Sequence, residues 1–310
     1  MKVMNVDKKY LTYPHRSYGM DHSLYEWSIL DERAPIVWPN GKRLALWVNI
    51  NLQFFPLDQQ SIPFPVPGGM TMPYPDLRHY TLRDYGNRVG IYRFFDALDK
   101  YGITSSIAMN TCVAQRYPYL LNKVVERGHE ILCHGGHMDA LHYGGQPLEE
   151  EAELVRKSLE ELRELSGQPI KGWISPAKNE SSNTPQLLAA NGIEYFCDWV
   201  NDDMPYKFHT EQGDLTAMPL STELEDRFII MNNLHSESSY KEQVLDACDY
   251  LLDEATTNGG RMLALNLHPW LLGQPHRIQT LEQVLKYLSS QEDIWSASPM
   301  DILTAFKSQT

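Results

Sequence analysis

Cysteine is scarce in this chain, and the little present is scattered. Cys112, Cys133, Cys197 and Cys248 form no C-x-x-C pair, and three lie in apolar surroundings. Buried free thiols are expected rather than a disulfide framework or a zinc ribbon. Long apolar runs are also missing. Nothing approaches the roughly 20 residues of a membrane helix, and residues 1–25 lack the apolar core of a secretion signal. The expected setting is cytoplasmic, without a membrane partner. Basic clusters are missing too: no run of Lys and Arg exceeds two, and the formal net charge is −13. That balance argues against nucleic acid and against polyanionic substrates. No Gly-rich dinucleotide fingerprint follows the first candidate strand, and Ser175 lacks the G-x-S-x-G setting of a nucleophile elbow, so it reads as a turn residue.

What is present is a rhythm of short apolar run, turn and amphipathic helix. Candidate strands cover residues 44–51, 103–110, 130–133, 171–175, 193–199, 215–220, 262–268 and 294–297. Runs such as Leu44-Ala45-Leu46-Trp47-Val48 suit strands buried on both faces. Helices are expected at 88–101, 117–127, 147–166, 184–191, 240–256 and 277–290. In the third of these, Pro147 and a Glu cluster mark the start and Gly167 the stop, with Leu154, Val155, Leu159, Leu162 and Leu165 on one face. Strands alternating with helices predict an α/β fold, a deformed (β/α) barrel of about seven strands, forming a single catalytic domain. Residues 1–40 read as an N-terminal extension. Residues 54–84, rich in Pro, Gly and Tyr and without a period, read as a lid or subunit-interface insertion.

Catalytic groups of such barrels stand at the C-terminal ends of strands. The first strand ends in Asn49-Ile50-Asn51, with both amides on one side. The third runs into His134, with His137, Asp139 and His142 close behind. Imidazole titrates near neutrality and also ligates zinc, so these are candidates for a general base or a metal site. Gly135-Gly136 frees the backbone to aim His134. After the fourth strand, Lys178 and Glu180 precede a helix start, where a carboxylate serves the helix dipole as readily as a reaction. Asp202 and Asp203 read as turn formers. The strand 262–268 delivers His268, fixed by Pro269 and flanked by Trp270.

Together these pieces resemble the polysaccharide-deacetylase (carbohydrate esterase 4) superfamily. The likeness runs over roughly residues 40–305 and rests on several pieces in the family's order: the Asn49/Asn51 strand end, Gly-His-Glu-Ile followed by His134-Gly135, and Gly172-Trp173-x-Ser175-Pro176. Glu180, Asn183-Thr184, Trp199-x-Asn201-Asp202-Asp203 and Leu267-His268-Pro269 complete it. Metal-dependent members carry two Asp near the Asn49/Asn51 positions, a second His where Met138 stands, and Arg where Ile174 stands. The resemblance therefore implies the branch of allantoinase-like and cyclic imide hydrolases: cytosolic, commonly tetrameric, some of them metal-independent. It implies hydrolysis of a non-peptide C–N bond in a small cyclic amide. His134, His268 and Glu180 are then the catalytic candidates. Asn49, Asn51, Trp173 and Trp270 are the substrate-binding ones. No cofactor is expected to be required; if zinc or another divalent metal is bound, His134, His137 and Asp139 are its ligands. Two other readings stand beside this one, a metal-dependent N-deacetylase of amino sugars and an inactive barrel kept as a binding module.

Overall fold

Alternation along the first strand sets out the whole molecule. A computed structural model describes residues 19–20, 22–59 and 76–310. In it β1 (Leu44–Leu52) is buried along its full length. Leu44, Leu46, Val48, Ile50 and Leu52 pack toward the surrounding helices, whereas Ala45 and Trp47 belong to a second apolar cluster on the opposite face. Period-two geometry puts Asn49 and Asn51 on that second face, above Trp47.

The remaining strands are β2 (Ser105–Met109), β3 (Glu130–Cys133), β4 (Gly172–Trp173), β5 (Tyr195–Phe196), β6 (Tyr206–Thr210), β7 (Gly213–Ala217), β8 (Arg261–Leu267) and β9 (Ile294–Ser296). Their order is β6-β7-β5-β4-β3-β2-β1-β8. All ladders are parallel except the β6–β7 hairpin. β9 pairs with the first half of β1, and β2 with the second half. The sheet curls into an incomplete barrel. All eight expected strands coincide with observed ones. β6 was not expected: Tyr206-Lys207-Phe208-His209-Thr210 buries only Phe208, so its apolar signal is a single residue.

Helices cover the outer face. Leu148–Ser166 buries Val155, Ser158, Leu159 and Leu162, while Leu165, expected on that face, is 44% exposed because the stripe passes through Ser166 instead. Inside the curl, Trp38, Trp47, Leu132 and Met262 meet Ile302 and Leu303 of the helix Pro299–Lys307, which plugs the N-terminal end of the strands. The other end is left to polar side chains. No helix among the described residues is long and apolar enough to cross a membrane.

Of the N-terminal extension, residues 1–18 and 21 lie outside the described residues, as do residues 60–75 of the insertion. The end of the insertion is helical rather than aperiodic. Asp76 caps the helix Leu77–Tyr85 by accepting from the His79 N–H (2.9 Å). A π-type turn, Gly86–Gly90, joins it to the helix Ile91–Tyr101. This turn lies against the short helix Pro269–Leu272, which follows β8 and His268. The approach is so close that a Cβ on Gly90 would stand 2.0 Å from the Pro269 carbonyl oxygen.

Backbone offers no compliant side chain to move aside. Gly90→Ala is therefore expected to cost about 2 kcal/mol or more, read as a lower denaturant midpoint. A midpoint equal to wild type would show that the two segments do not hold each other in place.

Candidate active site

At the C-terminal ends of the strands the interior turns from apolar to polar in one layer. Register sets Asn49 of β1 beside Ser106 of β2 and Asn266 of β8. The Trp47 indole N–H donates to Ser106 Oγ (2.8 Å), which donates to Asn49 Oδ1 (2.9 Å). The Asn49 and Asn51 amides both donate to Asn266 Oδ1 (2.9 and 2.7 Å), and Asn266 donates to Glu225 Oε2 (3.1 Å). Each link gives its proton toward the next, and the chain ends on a carboxylate.

Above this layer lies a cavity of about 230 Å³, lined among others by Asn51, Gln53, Arg83, His134, Lys178, Asp198, Glu225, Arg227, Asn266 and His268. His268 is 3% exposed, and its Nδ1 lies 2.7 Å from Asp226 Oδ1. Its backbone N–H also donates to Asp226 Oδ2 (2.8 Å), so one buried carboxylate fixes both the ring and the chain carrying it. With Nδ1 committed to Asp226, Nε2 is the nitrogen available to a ligand.

His134 is placed differently. Gly135 has φ of 66°, and a Cβ there would meet Pro176 at 2.8 Å, so the turn after β3 requires glycine. The His134 Nδ1 lies 2.8 Å from the Ile174 carbonyl oxygen, which can only accept, so Nδ1 carries the proton. Nε2 therefore offers a lone pair, toward the Gln53 amide at 3.2 Å. Burial lowers its pKa to about 4, the Ile174 carbonyl opposing this and nearby His268 adding to it.

Charge in the cavity runs against that of the chain. Burial raises the Glu225 carboxyl, but His268, Arg227 and Lys178 outweigh it and hold the group at about 2, so it is ionised. Arg227 Nε lies 2.7 Å from Glu225. Lys178 stands on two consecutive non-glycine residues with positive φ, Ala177 and Lys178 (59° and 54°), a strained turn that turns its side chain inward. Its Nζ meets only neutral acceptors, the Leu220 carbonyl (2.6 Å) and Thr222 Oγ1 (3.3 Å). Arg83 makes a third cation.

Glu180 does not line the cavity. It lies behind Asp198, accepts from the Trp199 indole (2.8 Å), and is raised to about 9 by burial and by the Asp198 carboxylate. Asp198, likewise raised by burial, is the one of the two that faces the cavity. Of the residues expected to bind substrate, Asn51 reaches the cavity, whereas Asn49 sits one layer below in the amide chain. Trp173 packs on the helix side of the sheet with its indole on Ser175 (2.9 Å). Trp270 is buried beneath Arg83.

The proposed metal ligands are not brought together. His137 Nδ1 accepts from the Asp139 backbone N–H (3.2 Å), and neither residue lines the cavity. Among the described residues no three His, Cys, Asp or Glu side chains converge as a metal site would need. With amides in the Asn49 and Asn51 positions, Met138 on the wall and three cations around it, the donor set does not fit a divalent cation. His142 serves the scaffold, buried 3.2 Å from Glu151, which also accepts from Ser181 and Thr184.

Sequence reasoning missed Asp226, Glu225, Arg83 and Asn266. Two signals were there: Glu225-Asp226-Arg227 abuts the apolar run Phe228-Ile229-Ile230-Met231, and Asn266 interrupts Met262-Leu263-Ala264-Leu265 before Leu267.

Residues 80–196 match the polysaccharide deacetylase family model. Over that stretch the chain is similar to the polysaccharide deacetylases. A Schizosaccharomyces pombe protein carrying the name polysaccharide deacetylase is 23% identical over 301 residues, covering 88% of this chain and 92% of that one. The crystal structure of PuuE allantoinase matches with a TM-score of 0.80 and 25% identity, over 89% of this chain and 95% of that one. A Pseudomonas aeruginosa PAO1 structure named as a probable polysaccharide deacetylase matches with a TM-score of 0.75 and 24% identity, over 88% and 93%. The α/β half-barrel is thus that of its structural neighbours.

Because the folded His134 takes a proton only near pH 4 and the unfolded one near 6.5, the folded state loses stability as pH falls from 6.5 toward 4. Imidazole nitrogen NMR at about pH 6 is expected to show His134 neutral and protonated on Nδ1. A charged ring at that pH would contradict the tautomer assigned here.

Proposed function

We propose that this protein hydrolyses the C–N bond of a small cyclic amide or imide, opening its ring. The observation that carries the reading is the buried Asp226–His268 pair at the wall of a small cavity with more cationic than anionic groups. The likeness to the PuuE allantoinase structure supports a ring-opening substrate over an open-chain one. A cavity of about 230 Å³ suits a small ring better than a polymer chain.

In the proposed reaction His268 Nε2 takes a proton from water as its oxygen bonds to the ring carbonyl carbon, and the carbonyl π electrons move onto oxygen. Asp226 holds the ring and stabilises the imidazolium. The oxyanion meets the Lys178 ammonium, whose protein partners are neutral. Collapse breaks the C–N bond, and His268 returns its proton to the leaving nitrogen, giving a free amide or amine and a carboxylic acid, which releases its proton to water to leave a carboxylate. His134 offers only a lone pair, so it orients the attacking water, with Gln53 beside it, rather than donating to the oxyanion. Glu180 acts through Asp198, keeping a shared proton at the edge of the site, and no cofactor takes part. Asn51 faces the substrate, and Asn49 positions Asn266, to which Asn51 also donates. A cytoplasmic homo-oligomer goes with this reading. The family match also favours metal-dependent deacetylation of an amino sugar, a reading the donor set opposes.

The test is a panel of cyclic imides, ureides and N-acetyl sugars, assayed with wild type and with His268→Gln and Asp226→Asn. Ring opening is expected, with kcat lowered about 10²–10⁴-fold in each variant while the far-UV spectrum is kept. Release of acetate from the sugars alone, or variants as active as wild type, would overturn the proposal.

A further inference from the structure

Arg83 is the outlier among the buried cations of the described residues. It stands in the last turn of the helix Leu77–Tyr85 and is 6% exposed. Arg261, buried to the same degree, has the Glu254 carboxylate at 2.8 Å, and Arg227 has Glu225 at 2.7 Å. Arg83 donates no hydrogen bond and has no carboxylate within ion-pair distance among the described residues, and its Nε is buried without a partner. Its guanidinium carbon lies 3.7 Å from the centre of the Trp270 ring and 5.1 Å from that of Phe55, and it lines the cavity beside His268. Burial lowers its pKa to about 9, with Arg227 adding to the effect and Glu225 and Asp226 opposing it, so it keeps its charge at neutral pH.

A buried guanidinium whose Nε is withdrawn from water without an acceptor is costly, and folding alone gives no reason to keep it so. The Trp270 indole N–H against which Arg83 lies is also buried without a partner. Two adjacent groups thus have donors to give and nothing to give them to. Aromatic rings on its flanks hold the guanidinium plane in one orientation, and a planar fork of donors matches the two oxygens of a carboxylate.

We propose that Arg83 is a carboxylate-binding residue of this cavity and that its ligand is a small molecule carrying that group: the acid released by ring opening, or a cyclic amide bearing a carboxylate substituent. Which carboxylate it meets rests on the ring-opening reading above; the subsite itself does not. Arg83 then determines which rings are accepted.

Calorimetric titration with succinamate and its neutral isostere succinamide, at one ionic strength, tests the subsite without turnover. Wild type is expected to bind succinamate about tenfold or more tighter than succinamide. Arg83→Met should lose that preference, and Arg83→Lys should keep only part of it. Since Arg83→Met removes an unpaired buried charge, its melting temperature should equal or exceed that of wild type, unlike the loss expected if Arg83 served the fold. If Arg83→Met fails to fold, Arg83→Lys decides, a reduced preference supporting the subsite and an undiminished one overturning it. Equal affinity of wild type for the two probes, or a preference that survives in Arg83→Met, also overturns it. An Arg83-dependent preference in a protein that opens no ring keeps the subsite and removes the ring-opening reading. Ring opening by a protein without the preference does the reverse.

Discussion

The site depends on one carboxylate held by two bonds from a single residue. Asp226 accepts from both the ring and the backbone N–H of His268. Neither atom of that carboxylate touches water, since the residue is fully buried. The Arg227 backbone N–H also donates to it (2.7 Å), so a carboxylate without water is satisfied from both sides of the site. The constraint spreads outward from there. His268 begins the turn into Pro269–Leu272, that turn packs on Gly86–Gly90, and the π-type turn fixes the helix that carries Arg83. On the other side, the residues flanking Asp226 are Glu225 and Arg227, which meet each other and line the same cavity. A second π-type turn, Arg227–Asn232, starts there. Local irregularity of this kind is often kept where side chains must be aimed rather than packed.

The amides of the inner layer follow from the same electrostatics. Glu225 is ionised and buried, and the chain of donors from Trp47 through Ser106, Asn49 and Asn266 ends on it. An aspartate at position 49 or 51 would face Asn266 Oδ1 with a lone pair instead of an N–H, break the direction of the chain and add a negative charge near Glu225. Amides at these positions are thus what the layer requires once Glu225 is present. They also remove the carboxylates that a divalent cation needs, so the charge balance of the cavity shifts toward Arg83 and Lys178.

Much of the architecture was legible in the sequence because buried parallel strands announce themselves. Runs such as those of β1 and β8 have few other ways to be buried, and the helices between them carry clear starts and stops. β6 escaped because an edge hairpin buries one residue in five. The site was legible at His134, His268 and Asn51, which stand at strand ends. Trp173 was read as a wall of the pocket, but period two turns it to the helix side, since it follows Gly172 and precedes Ile174 on the inner face. Asp226 and Arg83 come from π-type turns and a helix end, neither of which has a periodic signal. Their roles arise from pairing across long sequence separations: 42 residues for Asp226 and His268, and longer for Arg83 and Trp270. No local pattern encodes such distances.

The central claim is that proton transfer by His268, held by Asp226, suffices for C–N hydrolysis in a cavity whose donors suit an anion rather than a metal. The most direct measurement is elemental analysis of the purified protein coupled to ring-opening turnover after exhaustive chelation. The account predicts far less than one divalent metal per chain and turnover unchanged by the chelator. Stoichiometric metal, with activity lost on chelation and restored by zinc, would contradict it.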